Sequence, residues 1–169
     1  MIKLYISLLI FITSLYAHPH TFIEVYPTAN TKDGYIENIK IKWIIDQMTS
    51  SMLIMEFDNN NDGKIDINEN NYINENYFST LKKQGYYTYS KYKYKISDFK
   101  AQIANNKIEY TYILKLDQKV KIKDFSLSFY DTDFFVSMVL KEKFVNQKIP
   151  HLVEGVDGDF YYGYKITYK

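Results

Sequence analysis

Residues 58–69 carry a dense run of oxygen-bearing side chains, with the sequence DNNNDGKIDINE. Counted from the first aspartate, carboxylate or amide oxygens occupy positions 1, 3, 5, 9 and 12, and a glycine occupies position 6. A hard divalent cation such as Ca²⁺ takes about six to eight oxygen ligands, including one backbone carbonyl at position 7. The spacing therefore predicts a Ca²⁺ site whose ligands are Asp58, Asn60, Asp62, Lys64 (through its carbonyl), Asp66 and Glu69.

This ligand spacing is that of the EF-hand loop, which requires a helix on each side. Residues on both sides of the loop have apolar side chains at helical spacing. They are Met48, Met52 and Met55 before the loop, and Ile73, Tyr77 and Leu81 after it. We therefore predict an EF-hand-like helix-loop-helix inserted at residues 46–83, with the methionines on the core face of the first helix. For the loop, the alternative is an Asp/Asn-rich turn without metal. For the methionines, the alternative to packing in the core is binding of Cu(I) by their thioethers.

The first 17 residues have the pattern of a secretory signal peptide. Lys3 supplies a positive start, residues 4–15 are largely apolar, and Ala17 is a small residue at the cleavage position. We expect residues 1–17 to be removed and the mature chain to reach the periplasm. An uncleaved anchor helix is the alternative. The remainder has no second apolar run of spanning length, so we expect no membrane span in the mature protein.

Cleavage after Ala17 would leave His18-Pro19-His20 at the new terminus. A terminal amine beside two imidazoles can bind Ni²⁺, Co²⁺, Zn²⁺ or Cu²⁺. Pro19 has no N–H, which excludes the square-planar chelate that needs a deprotonated amide at the second residue. Glu24 and His151 are possible further ligands. The alternative is that His18 and His20 are ordinary polar residues at the start of an edge strand.

Composition excludes several other classes of function. Lys and Arg total 21, all of them Lys, against 20 acidic residues, so bulk positive charge for nucleic-acid binding is absent. The chain has no Cys and hence no thiol nucleophile or thiolate metal site. Its six glycines form neither a phosphate-binding loop nor a dinucleotide fingerprint. We therefore expect a protein that is not an enzyme.

Alternation of apolar and polar residues predicts strands over most of the chain. About eight are expected, from residues 20–26, 39–45, 88–96, 125–129, 134–140, 160–168 and a hairpin over 98–117 that turns at Asn105-Asn106. The predicted fold is mainly β (α+β), an antiparallel β-sandwich or rolled sheet. It forms one domain over residues 18–169, with the helical insert at 46–83.

Four segments in this order resemble an uncharacterised family of exported bacterial proteins. They are the Ala-His-Pro-His start at residues 17–20 running into Thr21-Phe22-Ile23, the strand Ile39–Trp43, the calcium loop with its Met-rich helix at Ser50–Glu69, and the aromatic turn Phe129–Phe135. Members are often labelled periplasmic components of ABC-type transport systems and are frequently encoded near nickel/cobalt permeases. The resemblance implies a membrane metal transporter as partner.

The predicted function is thus a non-enzymatic, calcium-binding periplasmic protein, accessory to nickel/cobalt-type transport or metal handling. A Ca²⁺-dependent adhesion or interaction module without a transition metal is the alternative. A metalloenzyme with an N-terminal histidine brace is a third possibility that the poor acid–base inventory disfavours.

Overall fold

The structure is a computed structural model that describes residues 21–145, 149–158 and 161–169. The predicted signal peptide and both N-terminal histidines, His18 and His20, lie outside the described residues. The residues that the structure describes form ten strands, in chain order β1 (Thr21–Lys32), β2 (Tyr35–Ile45), β3 (Thr88–Tyr89), β4 (Tyr94–Ala104), β5 (Lys107–Leu116), β6 (Val120–Lys121), β7 (Ser126–Tyr130), β8 (Val136–Val139), β9 (His151–Gly158) and β10 (Tyr161–Tyr168).

Helical structure is concentrated between β2 and β3. It comprises α1 (Gln47–Phe57), α2 (Ile67–Ile73), a π-helical segment (Asn74–Phe78) and a 3₁₀ segment (Ser79–Tyr87). Short 3₁₀ turns also occur at Ile122–Asp124 and Glu142–Phe144. The fold is therefore mainly β with a helical insert, as predicted.

The strands form two sheets. The first has the order β4-β5-β2-β1-β8, with β6 also pairing with β2, and the second has the order β3-β7-β10-β9. Among the described strands, all pairs are antiparallel except β1 with β8, where Thr21 lies opposite Val136 in a parallel pair. The prediction of purely antiparallel sheets was wrong at this edge, because alternation along a strand carries no information about the direction of its neighbour.

Strand alternation correctly identified the buried faces of the central strands. Ile39, Ile41, Trp43 and Ile45 of β2 are at most 5% exposed. The apolar face of β5 is buried in the same way. The predicted hairpin turn is confirmed, since Asn105 and Asn106 have φ angles of 52° and 57°, the left-handed values that a two-residue turn of this kind requires.

The prediction of one strand over residues 88–96 was wrong. Only Thr88 and Tyr89 form a strand there, and β4 begins at Tyr94. The preceding Gly85 has a φ of 59° and ends the helical insert in a kink. The hydroxyl of Tyr94 donates to the carbonyl of Gly85 at 3.1 Å, which holds this kink against the start of β4.

A second difference concerns the strand predicted over residues 134–140. Phe134 has a φ of 60° and is 46% exposed, so it does not lie on the buried face. The carboxylate of the buried Asp131 accepts hydrogen bonds from the amides of Asp133, Phe135 and Val136 at 2.9 to 3.0 Å. Because of this turn, the strand begins at Val136 instead of at residue 134. Strand β9 was not predicted at all.

Residues from both sheets and from the helical insert share one hydrophobic core. The Trp43 ring packs edge-on against the ring of Tyr112 in β5, with 5.3 Å between the ring centroids. It packs in the same way against Phe78 of the π-helical segment, with 6.0 Å between the centroids. Across the sheets, the hydroxyls of Thr88 and Tyr112 are 3.4 Å apart. These contacts fix the helical insert, and therefore the loop it carries, against β2 and β5.

Helix α1 presents the opposite face from the one that we predicted. Met48, Met52 and Met55 are exposed, whereas Ser50 and Phe57 are fully buried. The Ser50 hydroxyl donates to the carbonyl of Ile45 and accepts from the amide of Ile108, both at 3.0 Å. These buried hydrogen bonds orient the helix, and the methionines consequently face outward.

Candidate calcium site

The loop of residues 58–69 lies between the two helices and is closed at both ends. Asp58 follows α1, and its amide donates to the carbonyl of Ile54 at 3.0 Å. Asp66 precedes α2 and caps it, accepting from the amides of Asn68 and Glu69 at 2.8 and 2.9 Å. The predicted ligand residues therefore occupy one short turn whose entry and exit are helix ends.

The Asp58 carboxylate organises the first half of the loop. Its two oxygens accept from the amides of Asp62 and Gly63 at 3.0 and 2.9 Å. Gly63 has a φ of 75° and Asn61 a φ of 56°, so the backbone turns sharply towards that carboxylate. The position predicted for the turn glycine is thus confirmed as a left-handed position, which glycine adopts without steric cost.

The Glu69 carboxylate joins the beginning of the loop to its end. One oxygen accepts from the amide of Asn59 at 2.8 Å and the other from the amide of Asp66 at 2.9 Å. The second contact completes a capping box with Asp66. Both oxygens of Glu69 therefore face the loop backbone from the first turn of α2.

The remaining predicted ligands contact one another. Asn60 accepts from the amide of Asp62 at 2.9 Å through its side-chain oxygen, and its amide nitrogen donates to Asp62 at 3.3 Å. Asp62 in turn accepts from the amide of Lys64 at 2.9 Å. Lys64 is exposed.

Two of these acidic side chains are nearly buried. Asp58 and Glu69 are each 6% exposed. The ion pairs of the described residues join Lys42 to Glu109, Lys95 to Asp117 and His151 to Glu142, and none of them includes a loop residue. Backbone hydrogen bonds compensate part of the cost of burying these two carboxylates, but neither has a basic partner among the described residues.

Within the described part of the chain, no group of three or more His, Asp or Glu side chains converges closely enough to hold a metal ion. The oxygens of Asp58 and Glu69 instead accept backbone hydrogen bonds. Each carboxylate oxygen has two lone pairs, so an oxygen that accepts one hydrogen bond retains a lone pair for a cation. The donor set is compatible with a hard cation and unsuited to a soft one.

Hydrogen bonds fasten α2 to the first sheet and join the π-helical segment to α1. The side-chain oxygen of Asn70 in α2 accepts from the amide of Ala101 in β4 at 2.7 Å. Tyr77 donates to Glu56 of α1, and this hydrogen bond raises the pKa of Tyr77 well above its usual value. Ile65, the apolar loop residue, packs against the core as predicted. Sequence patterns did not single out Ser50 or Asn70, since isolated polar residues on helices have no distinctive spacing.

Of the residues predicted to bind a transition metal, the structure describes the two possible further ligands, Glu24 and His151. Strand β1 starts at Thr21, and the amide of Phe22 donates to Asp46 at 3.0 Å, so the chain enters the fold beside the start of α1. Glu24 accepts from the hydroxyl of Tyr26 at 2.8 Å. His151 lies on β9, with its ring nitrogens 2.7 Å from the carbonyl of Ile149 and 3.0 Å from Glu142. Glu24 and His151 thus already have protein partners.

Comparison with known proteins places this chain in a family. Residues 4–152, most of the chain, match the family described as "Protein of unknown function (DUF1007)". The chain belongs to this family. A relative described as an uncharacterized protein, from Haemophilus influenzae, is 26% identical over 134 residues. The match covers 75% of this chain and 65% of the relative, so the chain spans just under two thirds of that relative's length.

Membership of the DUF1007 family agrees with the expected resemblance to an uncharacterised family. Among its described residues, this DUF1007 protein has no helix that is long and apolar enough to cross a membrane. Export, calcium binding and the link to transport remain predictions for it.

Proposed function

We propose that this DUF1007 protein is an exported, non-enzymatic calcium-binding protein whose residues 58–69 form an EF-hand-like site for one Ca²⁺. The observation that carries the proposal is the pair of nearly buried carboxylates, Asp58 and Glu69, at the two ends of the loop without a basic partner. A bound divalent cation would neutralise charge that the described residues leave unpaired.

The backbone of the loop supports the same proposal. The left-handed Gly63 and the hydrogen bonds to Asp58 and Glu69 bend the loop backbone and bring its beginning next to its end. Oxygen is the only ligand type that the predicted residues offer, which favours Ca²⁺ over nickel, copper or zinc. The resident ion would join the end of α1 to the start of α2, so its role is to stabilise the fold. An affinity of about 10⁻⁴ to 10⁻³ M, the range of extracellular modules, suits that role.

Thermal unfolding in chelator and in calcium tests this proposal. Binding to the native state alone adds about 1.4 kcal/mol when free Ca²⁺ is about ten times the dissociation constant. For a chain of this size that corresponds to a rise of about 3 to 6 °C in Tm. Glu69→Gln should abolish most of the rise, because it removes one charged oxygen of the bidentate ligand.

Glu75→Gln is the matched control, since Glu75 is exposed on the neighbouring π-helical segment and outside the loop. It should retain the full calcium response. An equal rise in Glu69→Gln and in the unchanged protein would show that calcium acts elsewhere. No rise in the unchanged protein at about 10 mM Ca²⁺, above the expected affinity range, would reject the site.

The proposed cellular role is transition-metal handling for a membrane transporter of the nickel/cobalt type. His18, His20 and the predicted terminal amine support it, through nitrogen donors that suit Ni²⁺, Co²⁺, Zn²⁺ or Cu²⁺. Calorimetric titration of periplasmic protein should show binding that is lost below about pH 6, where imidazole is protonated. A variant with one extra residue before His18 should bind more weakly. Equal affinity in the two proteins would exclude the amine as a ligand.

A further inference from the structure

One face of α1 consists of methionine side chains in contact with solvent. Met48, Met52 and Met55 are 65%, 54% and 78% exposed. Their spacing of four and then three residues places them on the same side of the helix, one above another. We refer to these three residues as the methionine face.

The methionine face is not required to hold the helix in place. The opposite side of α1 does this through the buried Phe57, the hydrogen bonds of Ser50, and Leu53 and Ile54, which pack against the core. Exposure of three flexible apolar side chains therefore has no structural role in the described fold. By contrast, Met138 on β8 is 1% exposed and fills the core.

The spacing allows the three sulfur atoms to meet. Successive methionines are separated by about 6 Å and about 4.5 Å along the helix axis, from a rise of about 1.5 Å per residue. Methionine is unbranched and has three rotatable side-chain bonds, so the outer two thioethers can bend towards the central one. Two or three sulfur atoms can thus contact one ion lying over Met52.

The charge of this segment favours a cation. No lysine occurs between Lys42 and Lys64, although the chain contains 21 of them. The same stretch includes four acidic residues, Asp46, Glu56, Asp58 and Asp62. A positive ion approaching α1 therefore meets a locally acidic segment in a protein whose overall charge is nearly balanced. The chain has no Cys, which leaves thioethers as its only sulfur ligands.

We propose that Met48, Met52 and Met55 form a binding site for a soft monovalent cation, Cu(I) or Ag(I), through their Sδ atoms. Thioether sulfur selects such ions and discriminates against Ca²⁺ and other hard cations. The site is separate from the oxygen ligands of residues 58–69 and does not depend on calcium binding there.

A titration with Ag(I), followed by NMR of methionine methyl groups, tests the site directly. The protein is expressed with isotope-labelled methionine methyl groups, exported and purified, and Ag(I) is added in chloride-free buffer at about pH 5, where imidazole is protonated. The methyl signals of Met48, Met52 and Met55 should shift together and reach saturation near one equivalent. The signal of the buried Met138 should not move.

Leucine substitutions separate metal binding from a simple apolar contact. The triple variant Met48→Leu, Met52→Leu, Met55→Leu keeps the apolar surface but removes the sulfur, and should bind Ag(I) at least about tenfold more weakly, a change of about 1.4 kcal/mol. Met138→Leu is the matched control and should bind like the unchanged protein. Glu69→Gln should also retain Ag(I) binding, so failure of the calcium site and failure of this site can be distinguished.

Two results would overturn the proposal. One is saturating Ag(I) that leaves the three exposed methyl signals unshifted, which can be read from the unchanged protein even if the triple variant fails to fold. The other is equal affinity in the triple leucine variant, which would assign Ag(I) binding to other groups and leave the methionine face as an apolar surface.

Discussion

The β2–β5 pair and the loop of residues 58–69 are held in place by opposite means. In the strands, fully buried side chains such as Trp43 and Leu114 exclude water from an apolar core. In the loop, the nearly buried groups are the carboxylates of Asp58 and Glu69, held by backbone amides. Apolar burial does not depend on a bound cation, whereas the burial of unpaired carboxylates is favoured by one. The stability of the sheet should therefore depend on the volume of its buried side chains, and the stability of the loop on bound ions.

The largest expected effect is on the sheet. Leu114→Ala removes a fully buried side chain from β5 and should lower the free energy of unfolding by about 2 to 5 kcal/mol. Denaturant unfolding followed by the fluorescence of the single Trp43 measures it. The loss should be the same in chelator and in calcium.

Leu152→Ala is the control for that substitution, since Leu152 lies on β9 and is 40% exposed. Its effect should be within about 1 kcal/mol. A Leu114→Ala loss that disappears in calcium would mean that the sheet and the loop are not independently stabilised.

The next largest effect concerns the contact between α1, the helix before the loop, and β5. Ser50→Ala leaves the amide of Ile108 and the carbonyl of Ile45 without their buried partner, which should cost about 1 to 3 kcal/mol of unfolding free energy. Ser51→Ala is the matched control. Its exposed hydroxyl donates only to the carbonyl of Gln47 within the helix, and its loss should cost no more than about 0.5 kcal/mol. Equal losses would show that Ser50 does not anchor α1.

The same contrast explains which parts of the fold the sequence could predict. In β2 the two faces differ sharply, because Ile39 and Ile41 alternate with Lys40 and Lys42, and only one face can be buried. In α1 both faces are apolar. Helical spacing therefore predicted the helix correctly but could not identify which of its faces is buried. Ser50 decided the orientation through a hydrogen bond from the amide of Ile108, 58 positions away, which a local pattern does not contain. The parallel pairing of β1 with β8 was equally inaccessible, since it depends on tertiary contacts.

Within the candidate site, the sequence predicted the sharp turn at Gly63, which has a φ of 75°, because glycine at that position is a local signal. The binding of calcium by Asp58 and Glu69 stays a prediction. The contact of α2 with the sheet through Asn70 and Ala101 joins residues 31 positions apart. Such a contact depends on the folded arrangement of the strands and is not encoded in the loop motif.

The smallest expected effect concerns the start of α1, where strand β1 meets the helix. Burial would raise the pKa of the Asp46 carboxyl, but hydrogen bonds from Thr49 and Phe22 outweigh it and lower that pKa below its usual value. A lowered pKa in the folded state means that the carboxylate stabilises the fold above about pH 4, the unfolded value, and that this contribution is lost as pH falls through the folded value.

Asp46→Ala should therefore cost about 1 kcal/mol at pH 7, the usual value of a helix N-cap. The difference from the unchanged protein should shrink in acid, below about pH 4. Denaturant unfolding at both pH values measures it. Asp117→Ala, which breaks only the exposed ion pair with Lys95, should cost no more than about 0.5 kcal/mol. A cost of Asp46→Ala that stays constant into acid would show that the charge of Asp46 contributes nothing.

Equilibrium dialysis with radioactive calcium tests the central claim, that residues 58–69 are a Ca²⁺ site, most directly. The unchanged protein and Glu75→Gln should each bind one Ca²⁺ per chain, with a dissociation constant of about 10⁻⁴ to 10⁻³ M. Asp58→Asn and Glu69→Gln should each lose that ion while keeping the folded state. Stoichiometric binding that survives both substitutions, or no binding to the unchanged protein over this range, would contradict the account.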